Sequence, residues 1–212
     1  MKTSEDRHFG KILRVCFLCL VWYTVSASAN VVGKLFLRDF PYPTTRTIVQ
    51  LLSTCVFLIP TLRLLDIPRP KPFSTRYYAR LIVPLAVGKF IALALSHVSI
   101  WKVPVSYAHT VKATMPLFVV GLSRLVLRER QTMPVYLSLI PIIAGVFIAT
   151  VTELSFDMTG LLAALLSTFL FSLQNIFSKK VLKEHDIHHL RLLQVLAQLA
   201  LVNKHCVMSN IR

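Results

Sequence analysis

The sequence contains few acidic residues and few charged residues of any kind. Of its 212 residues, 9 are Asp or Glu and 24 are Lys or Arg, which gives a net charge of +15. Charged residues make up 16% of the chain and apolar residues 55%. Intrinsic disorder requires low hydrophobicity, so this composition excludes it. The shortage of polar residues also argues against a soluble protein that binds nucleic acid, despite the positive net charge.

Patterns typical of enzymes and metal centres are absent from the sequence. It has no glycine-rich phosphate loop, no nucleophile elbow and no helix with metal-spaced histidines. Cys16 and Cys19 lie in an apolar segment without a second pair, so packed membrane cysteines explain them better than zinc or redox chemistry. His185, His188 and His189 lie in a hydrophilic connection, where a solvated loop is favoured over a metal site. We expect no enzyme, no metal and no cofactor.

Long apolar runs account for most of the chain. A helix needs about 20 mostly apolar residues to cross a bilayer. Six segments meet this requirement, at about residues 12–33, 46–65, 81–100, 103–126, 133–152 and 158–178. A seventh, at about 190–203, is short, and tight turns at Pro41–Pro43 and Pro68–Pro72 leave no linker between domains. The pattern predicts an all-α polytopic protein embedded in a lipid bilayer.

Basic residues are distributed unevenly between the two sides of such a protein. Most of them lie in the N-terminal tail and in the connections that follow the second, fourth and sixth segments. The alternate connections hold only Lys34, Arg38, Arg46 and Lys102. Because Lys and Arg are retained on the cytoplasmic side of a membrane, the bias predicts a cytoplasmic N-terminus.

Lys89 and Lys112 lie near the middle of the third and fourth segments. Each is about nine residues, or roughly 13 Å of helix, from the ends of its segment, which is too far for the side chain to reach the surface. All nine acidic residues lie in tails, connections or segment ends. The lysines are therefore neutralised by burial, exposed to water in a cavity, or paired with an anionic solute. The last two are favoured, because ionisable groups inside membranes usually line transport paths.

Polar residues accompany Lys112 along one predicted helical face. Ser106 and His109 precede it at intervals of three residues. Pro116, four residues later, removes the donor for the Lys112 carbonyl, so we expect a kink. A kinked helix with a polar stripe is typical of a solute cavity, although a hydrogen-bonded seam between helices would also explain the serine and the histidine. Ser96, with its neighbours near the end of the third segment, either lines the same cavity or caps the helix at the interface.

A short pattern recurs in the chain at an offset of 145 residues. It consists of Asn30, Lys34 and Leu37 at the end of the first segment, and Asn175, Lys179 and Leu182 at the end of the sixth. Five segments intervene, so the two copies run in opposite directions across the membrane. This arrangement indicates an inverted repeat, which is common in secondary transporters.

Several motifs are specific as a set. They are Trp22-Tyr23 with Asn30, Lys34 and Phe40-Pro41-Tyr42-Pro43; Lys102 to Ala113; Asn175 to Lys180; and the stretches Ser96 to Lys102 and Thr150 to Asp157. The first three groups resemble the opening, the fourth-helix motif and the sixth-helix motif of the triose-phosphate/nucleotide-sugar translocator family, in the drug/metabolite transporter superfamily. The last two stretches are most similar to solute carrier family 35. The resemblance covers about residues 10–200.

The resemblance implies a fold of ten helices in two inverted five-helix halves, with the solute site between the halves and alternating access. In plastid members, phosphate exchanges for phosphorylated sugars, and the lysine that matches Lys112 binds the phosphate group. Where those members carry His-x-x-Thr in the third helix, this sequence has Leu93 and Ser96, and Lys89 is a candidate replacement contact. Plastid members also carry a Lys-Arg pair in the ninth helix, which this chain does not reach.

The chain then corresponds to the first five-helix half and part of the second. We expect residues 1–203 to form an incomplete sugar phosphate transporter domain of six or seven transmembrane helices, and residues 204–212 to be a tail unrelated to the family. Such a C-terminal truncation would leave the groove around Lys112 open. A second copy of the chain is a candidate partner that could cover it, although the charge bias argues against dual topology.

The resulting hypothesis is a secondary antiporter that moves a phosphorylated sugar or a related organic phosphate across an intracellular membrane. By family analogy that membrane belongs to the Golgi or another secretory compartment. The candidate substrate-binding residues are Lys112, His109, Ser106, Lys89 and Ser96, and the signature positions, which suit helix-end packing, are Asn30, Lys34, Asn175 and Lys179. The alternatives are a nucleotide-sugar transporter and a non-transporting or regulatory membrane protein.

Overall fold

Helices form all the regular secondary structure of residues 2–68, 74–128, 131–185 and 187–209, which are those that the computed structural model describes. In chain order they are α1 (Lys2–Asp39), α2 (Pro43–Leu64), α3 (Thr75–Tyr77), α4 (Val83–Lys102), α5 (Val105–Lys112), α6 (Met115–Leu122), α7 (Met133–Thr152), α8 (Met158–His185) and α9 (His189–Ser209). Single π-helical turns, Tyr78–Ile82 and Ser123–Leu127, precede α4 and follow α6. The all-α prediction is confirmed.

Five of the described helical stretches are long and apolar enough to cross a membrane. They are Phe9–Asp39, Pro43–Leu64, Tyr78–Lys102, Met133–Thr152 and Met158–Lys183. These stretches confirm five of the six predicted segments and the polytopic architecture of the fold. The apolar part of α9, His189–Val202, is shorter, although the helix continues to Ser209. The predicted turn from residue 69 onward and the final residues, 210–212, lie outside the described ranges.

The fourth predicted segment, 103–126, is not one continuous helix. Helices α5 and α6 are separated by Ala113 and Thr114. Pro116 is the second residue of α6, where its missing N–H matters little because the first turn of a helix has no partner for it. The same missing N–H prevents Pro116 from bonding the carbonyl of Lys112. The helix is interrupted directly after Lys112, where the kink was expected, by a turn at Ala113 and Thr114 that keeps right-handed helical dihedrals.

Helix α1 belongs to a unit of its own, Met1–Pro41, and is described by itself. Its polar side chains bond backbone carbonyls of the same helix: those of Thr24, Ser28 and Asn30 each donate to the residue four positions earlier, at 2.8–2.9 Å. Such bonds satisfy polar groups without a partner helix, as a lipid environment demands. Cys16 and Cys19 are exposed and free on this helix.

Helix α4 lies at the centre of the second unit, Tyr42–Arg212, where it packs against α8, α9 and α2. Its first residues share a buried apolar cluster with α8 and α9. A second cluster joins α2 to α9. Along α8, Ser167, Thr168 and Ser172 are fully buried and bond carbonyls of their own helix. These small side chains allow α8 to approach its neighbours closely.

The beginning of α8 is fixed by Asp157, which accepts the backbone N–H of Gly160 at 2.8 Å. This bond holds the pKa of Asp157 below its usual value. The carboxylate therefore favours the helix start at neutral pH, and that contribution is lost as the pH falls through the lowered pKa. Gly160 also lies against the α4–α5 connection, since a Cβ there would lie 2.5 Å from Cγ1 of Val103.

We predict that Gly160→Ala destabilises the protein, because the new methyl group must displace Val103. Overpacking of this kind costs about 1–3 kcal/mol. Gly145→Ala is the matched control: Gly145 lies within α7 and a Cβ there meets nothing within 4 Å. Thermal unfolding in detergent should show a lower midpoint for Gly160→Ala and an equal or higher one for Gly145→Ala. Equal midpoints for the wild type and Gly160→Ala would contradict the close contact.

Candidate functional site

Lys112, the last residue of α5, forms a hydrogen bond that crosses to α4. Its Nζ donates to Oγ of Ser96 at 2.6 Å. Ser96 is buried, and Lys112 is half-buried. The bond uses one of the three ammonium protons, and a neutral hydroxyl does not cancel the charge. Lys112 is therefore positioned by α4 while two of its donors stay available to an anion.

No described carboxylate neutralises the two lysines inside the helices. Neither Lys112 nor Lys89 forms an ion pair with an acidic residue in the part of the chain that the structure describes. The side chain next to Lys89 is that of Cys55 on α2, which is itself buried. This arrangement agrees with the expectation that the neutralising charge of Lys112 comes from elsewhere.

His97, the neighbour of Ser96, forms a buried bond to α2. Its Nδ1 lies 2.9 Å from Oγ1 of Thr47, and both side chains are at most 4% exposed. The hydroxyl of Thr47 also donates to the carbonyl of Pro43 at 2.9 Å. Because a hydroxyl has a single proton and that of Thr47 is directed to Pro43, the bond is one from Nδ1–H of His97 to Oγ1 of Thr47. His97 thus belongs to the interior of the protein and does not cap the helix at an interface.

Arg46 is one of the four basic residues that charge counting assigned to the alternate connections. In the structure it lies in the first turn of α2, directly before Thr47. Its positive charge acts on both Lys112 and His97. The predicted second segment, 46–65, begins at Arg46, and this place at the start of a helix was the signal that charge counting overlooked. The structure therefore adds a second cation to the site.

The other proposed site residues lie at different distances from Lys112. His109 is exposed on α5 and within electrostatic range of Lys112, and Ser106 is exposed one turn earlier on the same helix. Both residues of the predicted polar stripe that leads to Lys112 are therefore exposed. Lys89 is buried seven residues before Ser96, which is about 10 Å along α4. It lies along the same helix but does not contact the other candidates.

The signature residues lie on α1 and α8, five to ten residues before each helix ends. Asn175 is exposed on α8, and its amide lies 3.8 Å from Sδ of Met115, the first residue of α6. It therefore links α8 to the helix that begins just after the break. Lys179 is exposed one turn further along α8. Asn30 and Lys34 are half-buried on α1, and the amide of Asn30 bonds the carbonyl of Ser26.

Two residues of the histidine-rich connection, His188 and His189, lie side by side. Nowhere in the described ranges do three His, Cys, Asp or Glu side chains come together as a group that could hold a metal ion. Nδ1 of His188 accepts the N–H of Leu190 at 3.3 Å, and the rings of His188 and His189 are 4.9 Å apart. Asp186, in the same connection, lies outside the described residues.

The apolar helices form a bundle that holds a hydrogen-bonded lysine and a second cation. The lysine lies beside the interruption between α5 and α6. These features define a polytopic membrane protein with a basic internal site. The chain belongs to the Triose-phosphate Transporter family, whose sequence profile matches residues 13–208. This match confirms the family resemblance. It also runs past residue 203, where we predicted that a non-family tail begins, and that boundary remains a prediction.

Similar proteins include three plant translocators. The chain is 40% identical over 167 residues to "Phosphoenolpyruvate/phosphate translocator 2, chloroplastic" of Arabidopsis thaliana, which covers 78% of the chain and 43% of the relative. It is 36% identical to "Phosphoenolpyruvate/phosphate translocator 3, chloroplastic" of Oryza sativa subsp. japonica, over 86% and 47%. It is 31% identical to "Glucose-6-phosphate/phosphate translocator 2, chloroplastic" of Arabidopsis thaliana, over 93% and 50%. The chain spans about half the length of the curated relatives it matches, and these matches do not show the resemblance to solute carrier family 35.

We predict that Thr47→Val destabilises the protein, because it leaves Nδ1–H of His97 buried without an acceptor. An unsatisfied buried donor costs about 1–3 kcal/mol. Thr61→Val is the matched control, since Thr61 is exposed on the same helix and its hydroxyl bonds only the carbonyl of Phe57. Thermal unfolding in detergent measures both variants. A midpoint for Thr47→Val no lower than that of Thr61→Val would contradict the structural role of the bond.

Proposed function

We propose that this chain carries the phosphate-binding site of a secondary antiporter that exchanges inorganic phosphate for a phosphate ester across an intracellular membrane. The observation that carries the proposal is the Lys112 ammonium, held by Ser96 without a described carboxylate. An unpaired ammonium in the middle of a bilayer costs about 2.5–3.5 kcal/mol on insertion scales. A bound anion would offset that cost, so the site favours anion entry.

The names of the relatives support the substrate class. One group is named for phosphoenolpyruvate and phosphate, another for glucose 6-phosphate and phosphate, and a third for triose phosphate and phosphate. The organic part differs among these names and the phosphate group is common to all. A site whose strongest feature is a lysine suits the common group, because an ammonium is a compact point charge that contacts phosphate oxygens. All these names describe translocators, which supports transport without covalent chemistry.

We assign the site residues as follows. Lys112 contacts the phosphate group, and Ser96 orients Lys112. His109 and Ser106 line the open approach along α5, and Lys89 is a further cationic position deeper along α4. Asn30, Lys34, Asn175 and Lys179 act in helix packing, and Asn175 positions the start of α6.

The remaining assignments concern membrane and partners. The charge bias of the connections supports a cytoplasmic N-terminus. The exposed polar stripe of α5 supports a covering partner, such as a second copy of the chain.

The relatives named above are chloroplastic. Their names give no support to the Golgi assignment or to the solute carrier family 35 label. We therefore propose an intracellular membrane without naming the compartment. Imaging a tagged chain beside organelle markers tests the compartment.

We predict saturable exchange of labelled inorganic phosphate for phosphoenolpyruvate or glucose 6-phosphate in proteoliposomes that contain this chain. Lys112→Ala should lower the exchange rate about 10- to 100-fold, since a hydrogen bond to a charged group contributes about 1.5–3 kcal/mol. Lys183→Ala, at an exposed lysine near the end of α8, is the matched control and should exchange like the wild type.

Three results would contradict this assignment. If Lys112→Ala exchanges phosphate at the rate of the wild type, Lys112 does not contact the phosphate group. Uptake of nucleotide sugars without phosphate exchange would favour the nucleotide-sugar alternative. No saturable exchange of either class would favour the non-transporting alternative.

A further inference from the structure

We propose that Arg46 is a second cationic contact for the phosphate group, and that it makes the site select phosphate monoesters over phosphodiesters. This inference rests on the proposed function, and it adds a residue on α2 to the contact that Lys112 provides from α5. It also narrows the substrate class from organic phosphates in general to those with a terminal, doubly charged phosphate.

The first support is an unpartnered donor. Nη1 of Arg46 is buried and has no hydrogen-bond partner among the described residues. Buried side-chain nitrogens nearly always have a partner, and one without a partner needs an explanation. A guanidinium presents its N–H groups as a planar fork that fits the oxygens of a phosphate. A phosphate oxygen is therefore the kind of acceptor that Nη1 lacks.

The second support is the repulsion between like charges. Arg46 acts electrostatically on Lys112 and on His97, and in each case the interaction opposes a positive charge. Two cations at close range in an apolar surrounding repel each other strongly unless an anion lies between them. No described carboxylate serves as that anion for Lys112. A bound phosphate would convert the repulsion into attraction on both sides.

The third support is the way in which the two cations are held. Ser96 and His97 are consecutive residues of α4, and each anchors one side of the site. Ser96 bonds Lys112 at 2.6 Å, and His97 bonds Thr47, the residue after Arg46, at 2.9 Å. Two neighbouring residues on one helix thus hold the Nζ end of Lys112 and the residue next to Arg46. Such an arrangement preorganises the cations for one shared ligand, which lowers the cost of ordering them on binding.

The charge of the ligand follows from this geometry. A phosphate monoester carries close to two negative charges at neutral pH, whereas a phosphodiester carries one and has two of its oxygens esterified. Two cations at one site therefore match a monoester better than a diester. With one cation removed, the remaining ammonium distinguishes the two ligands less.

The test is equilibrium binding to the purified full chain in detergent. Labelled inorganic phosphate is the probe, and glucose 6-phosphate and dimethyl phosphate compete for the site. For the wild type we expect saturable binding and a monoester that competes at least about 10-fold better than the diester, as an added charge-assisted hydrogen bond would give. Arg46→Gln should weaken phosphate binding about 10-fold and reduce the preference to less than about 3-fold. Arg63→Gln, at an exposed arginine of the same helix, should match the wild type.

A second measurement does not depend on the folding of a variant. Phenylglyoxal modifies arginine side chains, and mass spectrometry of the wild-type chain reports each site. We expect inorganic phosphate to protect Arg46 from modification at concentrations that saturate binding, and to leave Arg63 unprotected. Protection of Arg46 together with loss of monoester preference in Arg46→Gln supports the proposal.

The two proposals fail in different ways. If the wild type binds phosphate and Lys112→Ala loses binding, but Arg46→Gln keeps the affinity and preference of the wild type, the role of Arg46 is overturned and the proposed function stands. Equal modification of Arg46 with and without phosphate, in a chain that binds phosphate, leads to the same conclusion. If the wild type shows no saturable phosphate binding, both proposals are overturned.

Discussion

The hydrogen bond between Lys112 and Ser96 is the interaction on which the site depends. It holds an ammonium ion inside an apolar helical bundle and neutralises none of its charge. The helices change at this charge: α5 ends at Lys112, α6 begins three residues later at Met115, and Asn175 of α8 contacts Met115. A positive charge in such a place is unfavourable unless an anion accompanies it. The site is therefore best understood as one half of an ion pair.

Helix α4 connects the fold to the site. The same helix packs its apolar face against α8 and α9 and presents Ser96 and His97 to α5 and α2. Because the rigid packing of α4 fixes both polar residues, the site forms on a scaffold and not on loops. Lys89 lies on this helix too, beside Cys55 of α2, so α4 carries polar groups at two depths of the bundle.

The sequence predicted much of this architecture from physical constraints that act locally. Apolar length identified five spans, and the missing N–H of Pro116 identified the place where α5 ends. The absence of an acidic residue at the depth of Lys112 indicated an anion site. What the sequence could not reveal depends on packing between distant segments. The partner of Lys112 lies 16 residues away and that of His97 lies 50 residues away, and Arg46 looked like a connection residue because charge counting carries no information about direction.

A structure of the chain determined with inorganic phosphate tests the central claim most directly. The account predicts phosphate density within hydrogen-bond distance of Nζ of Lys112, with the bond to Ser96 retained. Density for Lys112 paired with a carboxylate of the protein, or extended to the membrane surface, would contradict it. In that case the ammonium would already be neutralised or solvated, and the physical reason for an anion to enter would be gone.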